Sequence, residues 1–196
     1  MKIAQALRIG FSSLLQTLLI AGCASKSGGH ASASTPSIPI INTPAKTPLH
    51  DFRRVQLKGF EFDTNAKGAA KTAVLARELD TALLEALQRV LVRVTAVPAG
   101  GDFPTAPEGT LQITPRIEKA RVVTPSHREW HTWAAGNTDI LLRISYRDAK
   151  TGELVAEPLF NRKAGAFAAT WSNGARDAEV RENLVNDIAD YTRANR

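Results

Sequence analysis

The densest group of reactive side chains is His127-Arg128-Glu129-Trp130-His131. On an extended strand, alternate residues project to one side, so His127, Glu129 and His131 share a face. Two imidazoles and a carboxylate are the donor set of a zinc site that keeps one position open for water. Three features weigh against that chemistry: the spacing is not the helical H-E-x-x-H pair, no second cluster supplies a fourth ligand, and Pro125 and Gly136 bracket the segment as a loop between strands. The competing expectation is the tip of a long hairpin, with its His and Trp side chains exposed or packed. Trp130 and Trp133 would then cover the end of the core or touch a partner, because tryptophan carries a large share of the energy at protein contacts.

Other reactive residues lack the surroundings their chemistry needs. Ser172 lies in Thr170-Trp171-Ser172-Asn173-Gly174, which is not the G-x-S-x-G elbow of a nucleophilic serine. Ser126 and His127 are neighbours in sequence whose side chains need not meet. Gly28-Gly29 and Gly100-Gly101 are isolated pairs; neither follows a strand and opens a helix, as a phosphate loop does. Asp80 and Glu85 fall on the polar side of a helical stripe and read as a solvated face. Arg176, Arg181 and Arg193 alternate with Asp177, Glu179, Glu182 and Asp187, the pattern of surface ion pairing. No catalytic residue and no cofactor is assigned, and the expected class is non-enzymatic. The alternatives are a metal-dependent enzyme at His127, Glu129 and His131, and a carrier of an apolar ligand held between helices and sheet.

The elements that would position these residues follow from periodicity. Residues 52–62 alternate as a strand, with Val55, Leu57 and Gly59 on one side and Phe52, Arg54, Gln56, Lys58, Phe60 and Phe62 on the other. Residues 63–68 are turn-forming. From Ala69 to Arg89, Leu75, Leu79, Ala82, Leu83, Ala86, Leu87 and Val90 recur at helical spacing. A short strand over 92–97 ends at Pro98, and 98–109 is an irregular loop. A long strand covers 111–123; Pro115 lacks a ladder donor, which predicts a sheet edge or a bulge there. Residues 139–147 form the clearest strand, with Ile140, Leu142, Ile144 and Tyr146 on one face. Asp148 to Gly152 is a hairpin turn, 153–162 is the returning strand, and a last helix runs from Ala175 to Arg193 with Val180, Leu184, Ile188 and Tyr191 as its stripe. The order βαββββα predicts an α+β fold: a mostly antiparallel sheet of about five strands with two helices on one face.

Composition narrows the function. Of 196 residues, 43% are hydrophobic and 22% charged, which is a globular balance. The net charge of +6 drops to about +4 without Lys2 and Arg8, and the longest basic run is Arg53-Arg54. No basic stripe interleaved with aromatics marks a nucleic-acid reader. The one cysteine, Cys23, excludes an internal disulfide. In an exported chain a lone cysteine is either a reactive thiol or a modified one.

The N-terminus favours modification. Lys2 and Arg8 form a positive region, and Phe11 to Ile20 a short apolar stretch broken by Ser12, Ser13, Gln16 and Thr17. That stretch is too short to cross ~30 Å of hydrocarbon as a helix and suits an export signal. It ends in Leu19-Ile20-Ala21-Gly22-Cys23, which closely resembles the bacterial lipobox. The resemblance implies cleavage before Cys23, diacylglycerol on its sulfur, and a further acyl chain on the new amino group. The same resemblance implies that an Asp after the Cys would signal retention in the inner membrane; Ala24 stands there, so the expected address is the outer membrane, facing the periplasm. Residues 1–22 are thus a signal peptide. Residues 23–50 are the lipidated Cys and a Pro/Ser-rich tether reaching roughly 30 Å as a coil, and 51–196 are one α+β domain. An alternative has Ile38, Ile40 and Ile41 packing on the domain as an irregular arm.

Lipobox, tether, a helix ending in LQRVLVRVTAVPAG, the strand LQITPRI, the run YRDAKTGELVAEP, Trp171 and a C-terminal helix together resemble a group of small proteobacterial lipoproteins classed as a domain of unknown function. That resemblance spans about 50–193 and implies a fold and a compartment, with no catalytic residues to carry over. The expected partners are the membrane, through lipid on Cys23, and a protein of the envelope; nucleic acid is not among them.

Overall fold

The computed structural model describes residues 42–65, 68–121, 138–163 and 175–196, with side chains from residue 178 onward in the last stretch. A short 3-10 turn (Leu49–Asp51) leads into β1 (Arg54–Lys58) and β2 (Glu61–Phe62). Helix α1 (Ala69–Val90), β3 (Val94–Val97), β4 (Thr110–Arg121), β5 (Asp139–Asp148), β6 (Leu154–Ala156), β7 (Leu159–Lys163) and helix α2 (Ala175–Ala194) follow. The strands form one seven-stranded sheet in the order β3-β1-β4-β5-β6, with β2 also beside β4 and β7 also beside β5. The α+β class and both helices are as expected; the sheet has more strands because two expected strands are each divided.

The longest ladder, β4 with β5, is antiparallel, and so are β5–β6 and β5–β7. The pairings of β1 with β3 and β4, and of β2 with β4, are parallel. Ile140, Leu142, Ile144 and Tyr146 of β5 are buried on the face covered by the helices, as their alternation requires. Leu79, Leu83 and Leu87 of α1 and Leu184 and Ile188 of α2 fill the same core. The Tyr146 hydroxyl is buried within 2.9 Å of Thr192 Oγ1. Thr192 Oγ1 spends its own proton on Ile188 O at 2.7 Å, so Tyr146 is the donor. Burial raises the Tyr146 phenol above its ordinary value, an effect the Thr192 contact partly offsets.

Three local departures have nonlocal causes. The strand expected over 52–62 breaks at Gly59-Phe60. There the Phe60 N–H leaves the ladder and donates to Asp80 Oδ1 at 2.7 Å. The break reverses the alternation, so Phe60 is 1% exposed in the core with Val55 and Leu57 rather than on the opposite face. The strand expected over 153–162 divides at Pro158, which accepts from Ile144 N at 3.0 Å but has no N–H to return. Pro115 is at no edge: β4 lies between β1 and β5. Ile144, opposite Pro115, turns its N–H toward Pro158 and away from β4. In such a pair the N–H that Pro115 lacks would point to the other side, where β1 has ended opposite Ile113 and β2 begins opposite Arg116.

The turn after β5 is as expected. Gly152 has φ 71°, its N–H donates to Asp148 O at 2.8 Å, and Asp148 Oδ1 accepts from Lys150 N at 2.7 Å.

Residues 42–50, placed in the tether by composition, are bonded to the domain. The Asn42 amide brackets Leu159, donating to its carbonyl at 3.0 Å and accepting from its N–H at 2.8 Å. Lys46 N donates to Val155 O at 3.0 Å, Ala45 N to Asn195 Oδ1 at 2.7 Å, and Leu49 is buried. This segment covers the β6–β7 edge of the sheet.

Candidate functional site

The residues singled out by type and spacing lie outside the described residues: Cys23, His127, Glu129, Trp130, His131, Trp133 and Ser172. Among the described residues, no three His, Cys, Asp or Glu side chains gather as a metal site requires, and no helix is long and apolar enough to cross a membrane. The charges of α2 pair, but not with the interleaved residues of the same helix that the sequence suggests: Arg181 meets Glu78 of α1 at 3.1 Å, Arg193 contacts Asp190, and Asp187 takes Arg162 of β7 at 2.6 Å. A groove of about 340 Å³ between the helices has Leu79, Ala82 and Val185 in its lining together with Glu78, Arg89 and Arg181. It is open to solvent, unlike the enclosed apolar cavity a ligand carrier needs.

A second groove, of about 330 Å³, lies between α1 and the edge strand β3. Leu84 of α1, Leu57 of β1, and Ala96, Val97 and Pro98 give it apolar walls, and Asp80 stands among them. Gly59 makes the tight geometry possible: a Cβ there would come within 2.9 Å of Ala99 N. On the side of the sheet away from α1, Gln56 Nε2 donates to Pro104 O at 3.1 Å and Lys58 Nζ sits 5.4 Å from the centre of the Phe103 ring. These contacts hold the 98–109 loop against the sheet, and Lys58 also pairs with Glu61 at 2.9 Å.

Asp80 is therefore not the solvated carboxylate its helical position suggests. Burial holds its carboxyl above the ordinary 3.8, and the Phe60 N–H draws it partly back. A carboxyl raised by folding is bound to a proton more readily in the native state. Its contribution thus favours folding as pH falls through the native value and opposes folding above it. Asp80→Asn keeps an oxygen to accept from Phe60 and removes the charge. We expect the variant to unfold at higher denaturant than the parent at pH 7, with the gap closing near pH 3; a variant weaker than the parent at pH 7 would contradict this.

Among the described residues, no strand pairs with the outer side of β3 beside this groove. Arg93 O accepts from Val55 N at 3.3 Å and Val97 O from Gly59 N at 2.8 Å. Odd-numbered residues of β3 thus face β1, and Val94 and Ala96 turn their N–H and C=O groups outward. Val92, just ahead of β3, is 55% exposed.

No protein-family model matches the chain, and no curated protein matches it. Solved structures do. The PelC dodecamer from Paraburkholderia phytofirmans shares 10% identity at a TM-score of 0.50, over 79% of this chain and 96% of that one. The chain shares that fold. A DUF330 protein from Xanthomonas campestris scores 0.45 at 9% identity, over 80% of this chain and 93% of that one. A minor lipoprotein from Acinetobacter baumannii scores 0.33 at 12% identity, over 72% of this chain and 91% of that one.

Proposed function

We propose that this chain is a lipid-anchored protein of the bacterial envelope, held on the periplasmic side of the outer membrane, whose domain works through contact with protein and not through catalysis. The observation that carries it is Leu19-Ile20-Ala21-Gly22-Cys23 closing a short, positively headed apolar segment. An acylated Cys23 supplies two or three chains, and at ~0.8 kcal/mol for each buried CH₂ these make release negligible.

The packing of residues 42–50 supports a shorter tether than composition suggests. Anchoring restricts the domain's search to a surface and sets a high local concentration for anything on the same surface. PelC, which shares the fold, is a dodecamer, and that assembly favours contact between proteins as the way such a domain works.

The test is separation of inner and outer membranes by density, with the chain at its native level. We expect it in the dense outer-membrane fraction. Recovery in the light fraction would overturn the outer-membrane address, and recovery in the soluble periplasm would overturn the anchor.

A further inference from the structure

We propose that the domain stands on the membrane surface by one end, the end where β1, β3 and β4 begin, with the arginines gathered there seated among anionic lipid headgroups. The fold assembles that end from separate stretches of chain. Arg53 N donates to Gly109 O at 2.8 Å and Val55 N to Arg93 O at 3.3 Å, so the entries to β1, β3 and β4 lie side by side. Ala149 N donates to Thr110 O at 2.9 Å, which adds the turn after β5. Leu49 N donates to Asn195 O at 2.8 Å, which brings in the end of α2.

These contacts gather Arg53, Arg54, Arg93 and Arg196, and each is exposed. None of them has an ion pair among the described residues. Most carboxylates of the same end are already engaged. Asp51 faces His50 at 3.4 Å, Glu108 pairs with Lys150, and Asp190 with Arg193. Asp148 Oδ1 accepts from Lys150 N within its own turn. Glu153 makes no ion pair among the described residues, so free cations outnumber open carboxylates there.

Two features separate this end from an ordinary solvated surface. Arg53-Arg54 is the longest basic run of the chain, and the fold sets another cation beside it. That cation, Arg93, holds φ 54° and is the one non-glycine residue at positive φ among the described residues. Such a backbone position favours glycine, and a charged side chain kept there at the cost of strain points to use.

An anionic headgroup surface suits this arrangement. Guanidinium groups bond phosphate oxygens through a planar fork, and each cation near an anionic leaflet strengthens binding about fivefold. The lipid proposed for Cys23 puts headgroups within reach. Docking then fixes how the domain faces: the opposite end, where β4 stops and β5 starts, is turned toward the periplasm. The setting rests on the proposed anchor; the test does not.

The full mature chain, residues 23–196 with Cys23→Ala, is mixed with vesicles of phosphatidylethanolamine and phosphatidylglycerol, or of phosphatidylethanolamine and phosphatidylcholine. Sedimentation gives the bound fraction. With no acyl chain present, binding reports the protein surface alone. We expect at least roughly tenfold tighter binding to the phosphatidylglycerol vesicles, weakening as salt is added. Arg53→Gln, Arg54→Gln and Arg93→Gln together should bring binding to within about twofold of the neutral vesicles, and lysine at the same positions should restore it. Lys71→Gln, Arg77→Gln and Lys163→Gln remove equal charge from exposed positions elsewhere and should cost less than about threefold. Arg93→Gly should weaken binding about fivefold yet unfold at no lower urea than the parent, because glycine is unstrained at φ 54°. Equal binding to the two vesicles, or equal loss in the two triple variants, overturns the docking end. Capture by soluble dextran sulfate without binding to phosphatidylglycerol vesicles overturns the lipid surface as the occupant. Membrane fractionation decides the anchor separately, so failure here leaves it standing.

Discussion

Cys23→Ala is expected to reduce incorporation of labelled palmitate to background and to stop accumulation of a chain beginning at residue 23. The sulfur is the only thiol in the sequence, so no other residue can take up a thioether-linked diacylglycerol. The uncleaved precursor could still cling to membrane through Phe11 to Ile20, and a second variant separates that effect. When an ordinary cleavable export signal replaces residues 1–22 and Cys23→Ala is kept, the domain should move to the soluble periplasm. The ratio of membrane-bound to soluble chain should fall by at least roughly a hundredfold, because each acyl chain contributes ~0.8 kcal/mol for every CH₂ it buries. A domain that still pellets with membrane after both changes would show that protein contacts, not lipid, hold it there.

The second large effect is on stability. Leu83 is 0% exposed and sits mid-way along α1, in the core that both helices and the sheet share. Leu83→Ala removes three buried carbons and leaves a cavity that close-packed neighbours fill only partly, at a cost of about 3 kcal/mol. Urea unfolding should show a lower midpoint with an unchanged slope, since the surface exposed on unfolding stays nearly the same. No cysteine remains to staple the domain, so the loss falls on packing alone. A change under about 1 kcal/mol would mean that α1 does not pack as described.

The fold was legible wherever a single element carries its own pattern. The leucines of α1 and the alternation of β5 mark both elements within a residue or so of their observed ends. The Asp148–Gly152 turn is legible for the same reason: its bonds close over a few residues.

What was not legible depends on partners far along the chain. Phe60 enters the core because Asp80, 20 positions away, takes its N–H. Asn42 belongs to the domain because Leu159, 117 positions away, receives both ends of its amide. Pro115 sits inside the sheet because the gap between β1 and β2 falls beside it, a coincidence of register that no local window contains. Gly59, a glycine within an alternating run, was the one local sign of the break.

The candidate site divides in the same way. Cys23 and the His127–His131 patch stand out by residue type and lie outside the described residues. The groove beside β3 has no unusual residue at all. Its interest comes from where the fold puts an ordinary aspartate and an ordinary strand.

The intact mass of the mature chain, extracted in detergent from its own envelope, bears most directly on the whole account. The expected species begins at Cys23 and is heavier than its residues by a diacylglyceryl group and a further acyl chain. A mature chain with a free thiol and no added mass, recovered without detergent, would remove the anchor on which the proposed function stands.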